Sequence, residues 1–314
     1  MESFLCGVDI GGTKLSVGLV TEAGDLVDQL TVHDHVTKTP DLIMQQIAGL
    51  VGQLLEQNSL KQDRLRGVGV ATAGHLRFRD GTLITMSNLE GFRGYPIRDK
   101  LQAHFSVPVV VDNDANAQAF AEYKFGAGRG YPDLVFLTIS TQIGAGLILG
   151  GQMFRGMTGT AGEIGHTIVD PNSDLVCPCG NKGCLIAVAS SVNLDKVYRR
   201  KVAGLGVQPT LGPGLIDGPF IKRGLDQGDP ASQQLVAEYA DYIGIALYNL
   251  FQIFNPNAIV LGGGLTAWGA PFFEGIERKF KALARDMLFD PMPILKGTVA
   301  HSGLVGAASL VSAT

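Results

Sequence analysis

Three cysteines and one histidine form the most specific chemical pattern in the sequence. Cys177, Cys179 and Cys184 lie within eight residues of one another, and His166 precedes them. Three thiolates and one imidazole make a tetrahedral zinc set, and four protein ligands leave no position open for a substrate. We therefore predict one structural Zn²⁺ here rather than a disulfide. Cys6 stands apart from this cluster, and we expect it in the core.

Two carboxylates follow a strongly apolar segment at 109–111. They are Asp112 and Asp114, with Asn113 between them. A carboxylate at the end of a buried strand could accept the proton of a hydroxyl during phosphoryl transfer. Asp114 could instead cap the helix that follows, as could Asn113. Strand alternation places Asp112 and Asp114 on the same side, so spacing leaves the choice of base open.

Three glycine-rich turns could bring backbone N–H groups close to a phosphate. They are the segments 9–14, 140–146 and 262–264. Glycine permits such close approach, and a neighbouring threonine hydroxyl adds a donor. The first turn could also be an ordinary hairpin turn. Because two of the three turns occupy equivalent points of two similar halves of the chain, we favour a nucleotide site.

The predicted elements repeat one pattern in two halves. Each half opens with a hairpin that carries a glycine turn, which indicates a duplicated α/β unit and not a doubly wound sheet. The predicted strands are a hairpin over 4–20, then 26–32, 66–71, 107–111, 135–139, 144–149 and 258–261. The predicted helices are 40–55, one that begins near 113–114, 232–254 and 303–312. We assign a small domain to 1–116 plus 301–314 and a large domain to 117–300, with ligands in a central cleft.

The composition is that of an ordinary globular protein. The chain has 314 residues, of which 46% are hydrophobic and 17% charged, and its formal net charge of −4 does not favour nucleic acid or an anionic membrane as a partner. No apolar run reaches the roughly 18–20 residues of a membrane span. The first residues lack the pattern of a signal peptide, so we expect a cytoplasmic protein.

Several motifs together resemble those of the ROK family, which comprises repressors, open reading frames and kinases. The motifs are DIGGTK at 9–14, NDAN at 113–116, GEIGH at 162–166, CPCGNKGC at 177–184 and GGG at 262–264. They occur in the family's order over nearly the whole chain. Within the family, the sequence is most similar to bacterial glucokinases and N-acetylmannosamine kinases.

The resemblance implies an ATP-dependent hexose kinase, with O6 of glucose or a close relative as the acceptor. It implies an actin-like ATPase fold, which is a duplicated ribonuclease H-like unit in two domains, and a homodimer that uses ATP and Mg²⁺. Carried over by motif, Asp114 is the catalytic base and also contacts the sugar. The other implied sugar contacts are Gly74, Asn88, Asn113, Glu163 and His166. The implied nucleotide contacts are Gly11, Gly12, Thr13 and Thr141 for phosphate, and Gly262 and Gly263 for adenosine.

The sequence departs from the family pattern at two places. Ile186 stands where the family has a glutamate that binds the sugar. Ser140, Gln142 and Ala145 replace glycines of the family's phosphate loop. The sugar and the phosphoryl donor therefore stay open, and a catalytically weak sugar-binding protein is an alternative. A transcriptional regulator is a second alternative, although only about eight residues precede the first motif, where family repressors carry a DNA-binding helix-turn-helix.

Overall fold

The computed structural model describes residues 3–86, 89–207, 211–212, 214–287 and 290–312. The chain divides into two structural units. The first comprises Met1–Phe136, Gly146–Gly162 and Gly297–Thr314, and the second comprises Leu137–Ala145 and Glu163–Lys296. The domain boundaries inferred from the sequence, after residue 116 and at residue 301, stay a prediction.

The described chain contains strands and helices in both halves. The strands are β1 (Phe4–Ile10), β2 (Leu15–Thr21), β3 (Leu26–Val32), β4 (Leu65–Thr72), β5 (His75–Arg77), β6 (Thr82–Thr85), β7 (Val109–Asn113), β8 (Leu134–Ile139), β9 (Ile143–Leu149), β10 (Gln152–Phe154), β11 (Ala258–Gly262) and β12 (Ile294–Lys296). The α-helices are α1 (Pro40–Gln57), α2 (Ile97–Gln102), α3 (Asp114–Phe125), α4 (Leu185–Ala189), α5 (Leu194–Leu205), α6 (Gly218–Asp226), α7 (Pro230–Phe254), α8 (Ala270–Ala284) and α9 (Ser302–Ser309).

The first sheet has the strand order β3-β2-β1-β4-β7. Strands β1, β2 and β3 form an antiparallel meander, and the glycine turn joins Ile10 to its partner Leu15. Strands β4 and β7 extend the sheet in parallel on the other side of β1. The hairpin, the third strand of the meander and the strand after α1 are therefore confirmed.

The second sheet repeats this arrangement, with the order β10-β9-β8-β11-β12. Strands β9 and β10 pair antiparallel, and β11 and β12 pair parallel. In both sheets the first strand of the half is central, its two successors extend to one side, and the later strands lie on the other side. A doubly wound sheet would lack the antiparallel strands, so the predicted duplication of a mixed α/β unit is confirmed.

Helix α1 covers one face of the first sheet with an apolar stripe. Its buried residues Ile43, Ile47, Val51 and Leu54 recur every three or four positions, which is the helical period. They join one core cluster with the side chains of β1, β2 and β4 that point to the same face. Pro40 occupies the first turn of α1, where its missing N–H costs nothing.

Helix α9 packs against the opposite face of the same sheet at unusually close range. A Cβ on Gly7 of β1 would lie 2.0 Å from the carbonyl oxygen of Leu304, and a Cβ on Gly69 of β4 would lie 1.7 Å from that of Ala307. Only glycine in these strands allows the helix backbone to approach so closely. The sequence predicted the C-terminal helix but not this contact.

Helix α7 is the helix against which α4, α5, α6 and α8 pack in the second unit. The carboxylate of Asp229 caps its N-terminus by accepting the N–H of Ser232 at 2.8 Å, and Pro230 occupies the first turn. The predicted helix at 232–254 is confirmed, and the cap explains its slightly earlier start. None of the described helices combines the length and the apolar character needed to cross a bilayer.

Candidate active site and metal centre

The structure brings together the four residues predicted to bind zinc. One ligand atom from each of His166, Cys177, Cys179 and Cys184 lies within 4.8 Å of every other. The Sγ atoms of Cys179 and Cys184 are 3.8 Å apart, and Cys177 Sγ is 3.4 Å from His166 Nδ1. A tetrahedral zinc ion would hold such ligand atoms about 3.5–3.8 Å apart, given its usual bond lengths. The donor set and its spacing therefore fit zinc.

Tight backbone turns place the three thiols. The N–H of Cys177 donates to the carbonyl of Asn181, and the N–H of Gly180 donates back to the carbonyl of Cys177, each at 2.8 Å. Gly180 and Gly183 both have positive φ, and a Cβ on Gly183 would lie 1.8 Å from the carbonyl oxygen of Asp170. Gly180 and Gly183 are therefore needed for the turns that bring the three cysteines together.

The thiols differ in how readily they ionise. Burial raises the pKa of the Cys177 thiol to about 12. The backbone N–H of Asn181 lowers the pKa of Cys179, which is exposed, to about 7. Because a metal binds the thiolate, it must displace a tightly held proton at Cys177.

Glu163 precedes the short 3₁₀ turn Ile164–His166, which His166 ends, and both residues are half-buried. The Nε2 atom of His166 lies 3.9 Å from Glu163 Oε2, while Nδ1 faces the sulfur of Cys177. One ring nitrogen is therefore directed to the metal cluster and the other to the carboxylate. The structure thus places these two predicted sugar contacts beside each other and next to the metal centre.

Ile186, which replaces the family's glutamate, is a core residue of α4. Its side chain is 1% exposed. A Cβ on Gly165 would lie 2.7 Å from Ile186 Cγ1, so the isoleucine packs against the backbone that carries His166. An apolar side chain at position 186 therefore packs against the turn that carries His166.

The two candidate bases, Asp112 and Asp114, have different environments. Asp112 is 1% exposed, and its Oδ1 accepts the N–H of Asn113 at 2.7 Å and the amide of Asn116 at 2.9 Å. Its Oδ2 accepts Arg155 Nε at 2.7 Å. Asp114 is half-buried and is the first residue of α3. Strand alternation does not extend to Asp114, because β7 ends at Asn113 and α3 begins at Asp114.

Asn113 joins the predicted sugar residues of the first unit. Its Oδ1 caps α3 by accepting the N–H of Ala115 at 2.8 Å, which confirms it as the N-cap. Its Nδ2 donates to the carbonyl of Gly74 at 3.3 Å. Gly74 has φ of +97°, and a Cβ there would lie 2.1 Å from the carbonyl oxygen of Thr85. Asn88 lies outside the described residues.

The first glycine turn holds the predicted phosphate contacts Gly11, Gly12 and Thr13. The N–H of Gly11 donates to the carbonyl of Lys14 at 3.0 Å, which closes the turn. Asp9, at the end of β1, was not among the predicted site residues. Burial raises the pKa of its carboxyl, and the charge of Lys14 partly offsets this effect. Its position at a strand end before glycine is the signal that would have identified it.

The second and third glycine turns are neighbours in the second unit. Gly263 has φ of +87°, and its Cβ would lie 2.4 Å from the carbonyl oxygen of Ile139. Strand β8 ends at Ile139 and is followed by the turn that contains Thr141. Thr141 and Gln142 are both exposed. The chain at Gly262 and Gly263 therefore lies beside the start of the turn that carries Thr141.

Comparison with known proteins identifies the family. The model of the ROK family matches residues 5–314. The chain belongs to the ROK family. A glucokinase from Halalkalibacterium halodurans is 31% identical, with 99% of this chain and 95% of the relative covered. An N-acetylmannosamine kinase from Escherichia fergusonii is 30% identical, with 96% of each covered.

A solved structure of this ROK family supports the same assignment. The ROK family glucokinase from Streptomyces griseus, in complex with glucose and AMPPNP, has a TM-score of 0.82 and 33% identity, covering 98% of this chain and 99% of that chain. The prediction of an actin-like ATPase fold is therefore confirmed. The prediction of a phosphotransferase enzyme is confirmed as well.

Proposed function

We propose that this ROK protein is an ATP-dependent hexose kinase that transfers the γ-phosphoryl group to O6 of glucose. The observation that carries the assignment of the base is the contrast between Asp112 and Asp114. Arg155 and two nitrogen donors engage both oxygens of the buried Asp112. Asp114 stands half-buried at the start of α3, so it is the carboxylate of the pair that a sugar hydroxyl can reach.

In this mechanism Asp114 orients the sugar hydroxyl and accepts its proton as the oxygen attacks the γ-phosphorus. The bond between the γ-phosphorus and the bridging oxygen breaks, and ADP leaves. Such transfer depends mainly on positioning and on stabilising the charge of the phosphoryl oxygens. Gly74 and Asn113 are the proposed sugar contacts beside Asp114. The hydrogen bond between them links Gly74 to the start of α3.

The remaining proposed contacts follow the family motifs. Asn88, Glu163 and His166 complete the sugar set. The proposed nucleotide set consists of Gly11, Gly12, Thr13 and Thr141 at the phosphates, and Gly262 and Gly263 at the adenosine. At Gly263 a side chain would collide with the backbone of Ile139, so packing requires glycine at this position.

Two metal ions belong to the proposal. The fit of four ligand atoms supports a structural Zn²⁺ held by His166, Cys177, Cys179 and Cys184. Mg²⁺, when bound with ATP, neutralises charge on the phosphate oxygens. Asp9 lies in β1 directly before the first glycine turn, and a cation bound there would relieve the cost of burying its carboxylate. We further propose a homodimer in the cytoplasm, where thiols stay reduced and ATP is available.

Glucose as the acceptor rests on the glucokinase relatives, and N-acetylmannosamine is the second candidate because a kinase for that sugar is 30% identical. The test is a coupled assay of ADP release with glucose, mannose, N-acetylmannosamine and N-acetylglucosamine, each with ATP, GTP and polyphosphate. We expect glucose with ATP to give the highest kcat/KM. A higher value for N-acetylmannosamine would reassign the sugar. Sugar binding without phosphorylation of any member would favour a catalytically inactive binder.

A further inference from the structure

Two histidines contact the first glycine turn from a segment that follows β3. His33 Nδ1 lies 3.0 Å from the carbonyl oxygen of Thr13, and His35 Nε2 lies 2.8 Å from that of Gly11. A carbonyl oxygen can only accept a hydrogen bond, so each imidazole must donate. The contacts therefore fix the proton of His33 on Nδ1 and that of His35 on Nε2.

Holding a carbonyl also orients the N–H of the next residue. A trans peptide is planar, and its C=O and N–H point in opposite directions. With its oxygen held by His35, the Gly11–Gly12 peptide must direct the N–H of Gly12 away from that ring. His33 imposes the same constraint on the N–H of Lys14 through the carbonyl of Thr13.

We infer that His33 and His35 are positioning residues that orient the N–H groups of Gly12 and Lys14 toward the phosphates of ATP. The inference rests on the proposed role of this turn in phosphate binding. A flipped peptide would point a carbonyl dipole at the phosphate, which repels it, whereas an N–H attracts it. Both peptides lie in a glycine turn and can flip easily. Hydrogen bonds that hold their carbonyl oxygens therefore pre-organise the N–H groups for phosphate binding.

The burial of His35 indicates that its hydrogen bond matters. His35 is fully buried, and within the described part of the chain its Nδ1 has no hydrogen-bond partner. Leaving a buried polar atom without a partner is unfavourable, and an apolar side chain would fill the space without that cost. The imidazole differs from an apolar side chain in donating its Nε2–H to the carbonyl oxygen of Gly11. Asp34 stabilises the turn that carries both rings, because Lys38 and Gln46 donate to its carboxylate.

The experiment removes the hydrogen-bond donor of each ring and then restores a donor with an amide side chain. His35→Met and His33→Ala remove the N–H, whereas His35→Gln and His33→Asn retain a donor at the matching position. The probe is MgATP, whose Kd is measured by isothermal titration calorimetry without sugar. We expect about three- to tenfold weaker binding for each donor-free variant, as for the loss of one hydrogen bond. The amide variants should stay within about twofold of wild type, and glucose affinity should not change.

Two control variants test whether the effect is specific to the two histidines and whether the turn binds phosphate. His104→Ala changes an exposed histidine outside the turn and should bind MgATP as wild type does. Thr13→Val tests the phosphate role of the turn directly. Weaker binding by Thr13→Val but not by the donor-free histidine variants would overturn the inference and keep the proposed function.

Two other outcomes would also overturn the inference. Unchanged MgATP affinity in Thr13→Val and in both donor-free variants would remove the phosphate role of the turn and the inference with it. Losses that the amide variants do not restore, with matching decreases of melting temperature, would show that the histidines only stabilise the fold. That result would also overturn the inference.

Discussion

Asp112 and Asp114 lie two residues apart in the sequence and have different environments. Asp112 lies in the interior with Arg155, whose guanidinium also stacks at 3.8 Å over the ring of Phe78. A buried charge of this kind is stable only while its partner is present. Asp114, the proposed base, lies one residue beyond the end of β7 and is half-buried. Burial and the ion pair with Arg155 therefore distinguish Asp112 from Asp114, which accepts the N–H of Ala115 at 2.9 Å.

The first prediction compares Asp114→Asn with Asp112→Asn. Asparagine keeps the shape of Asp114 but cannot accept the proton, so kcat should fall at least about 10²-fold, the lower range for general-base assistance. The KM for the sugar should change much less, because the lost interaction belongs mainly to the transition state. Asp112→Asn should leave the partly buried Arg155 without its counter-charge and destabilise the protein by about 3 kcal/mol.

Steady-state kinetics and thermal melting of both variants, measured side by side, check this prediction. Zinc content serves as a control and should be the same in both. If Asp112→Asn abolishes turnover at an unchanged melting temperature while Asp114→Asn keeps near-normal kcat, the assignment of the base is wrong.

Ile186 gives a second prediction. The family resemblance, which places a sugar-binding glutamate at this position, favours stronger glucose binding by Ile186→Glu. Because Ile186 is buried against Gly165, Ile186→Glu must place a carboxyl group in an apolar contact, which is unfavourable. We now expect a lower melting temperature and less bound zinc, whereas Ile186→Val should cost only about 0.5–1.5 kcal/mol. An unchanged melting temperature with a lower KM for glucose would show that this side chain faces the sugar.

At the scale of elements, the packing of α9 on the first sheet depends on two strand glycines. A third prediction is that Gly69→Ala strongly destabilises the protein, because its Cβ would lie 1.7 Å from the carbonyl oxygen of Ala307 and backbone cannot move aside easily. Gly49→Ala in α1 is the matched control, since a Cβ there meets nothing within 4 Å. Alanine in a helix should stabilise by about 0.5–1 kcal/mol. Urea denaturation of both variants measures the difference, and equal effects would contradict the close contact.

Elements with a strong local pattern could be predicted from the sequence. The hairpin of β1 and β2, the apolar stripe of α1 and the cysteine cluster each depend on residues close in the chain. Contacts that depend on distant residues could not be predicted. Arg155 binds Asp112 from 43 residues away, and His35 contacts Gly11 from 24 residues away. Neither partner is determined by periodicity or spacing, because the fold alone brings them together.

The charge of the whole molecule supports a fourth prediction. The formal net charge is −4, with 25 basic and 29 acidic side chains, so the chain carries no excess of basic charge to neutralise phosphates along a duplex. Non-specific and much of specific DNA binding depends on such contacts. We therefore expect no specific complex in a gel shift at physiological salt. Nanomolar affinity for a defined operator would contradict this expectation and favour the regulator alternative.

The proposed zinc site would affect the stability of the two units differently. The four proposed ligands and the turns that carry them lie in the second unit, whereas the first sheet, with Cys6 in β1, lies in the first. Metal binding to such a cluster contributes directly to folding free energy, because the unfolded chain has no preformed site. Losing the metal should therefore loosen the second unit first.

The fifth prediction is that the protein contains one zinc per chain and that its removal acts locally. Metal analysis of protein without an affinity tag measures the content, and hydrogen exchange after chelation measures the local effect. Exchange should increase at 163–189, while the strands of the first sheet keep their protection. Cys179→Ser should reproduce the effect, whereas Cys6→Ala, which removes a thiol outside the cluster, should leave zinc content unchanged. Protein that contains no zinc, or exchange that rises equally in both units, would contradict a structural zinc confined to the second unit, because a local metal stabilises most the turns that it holds.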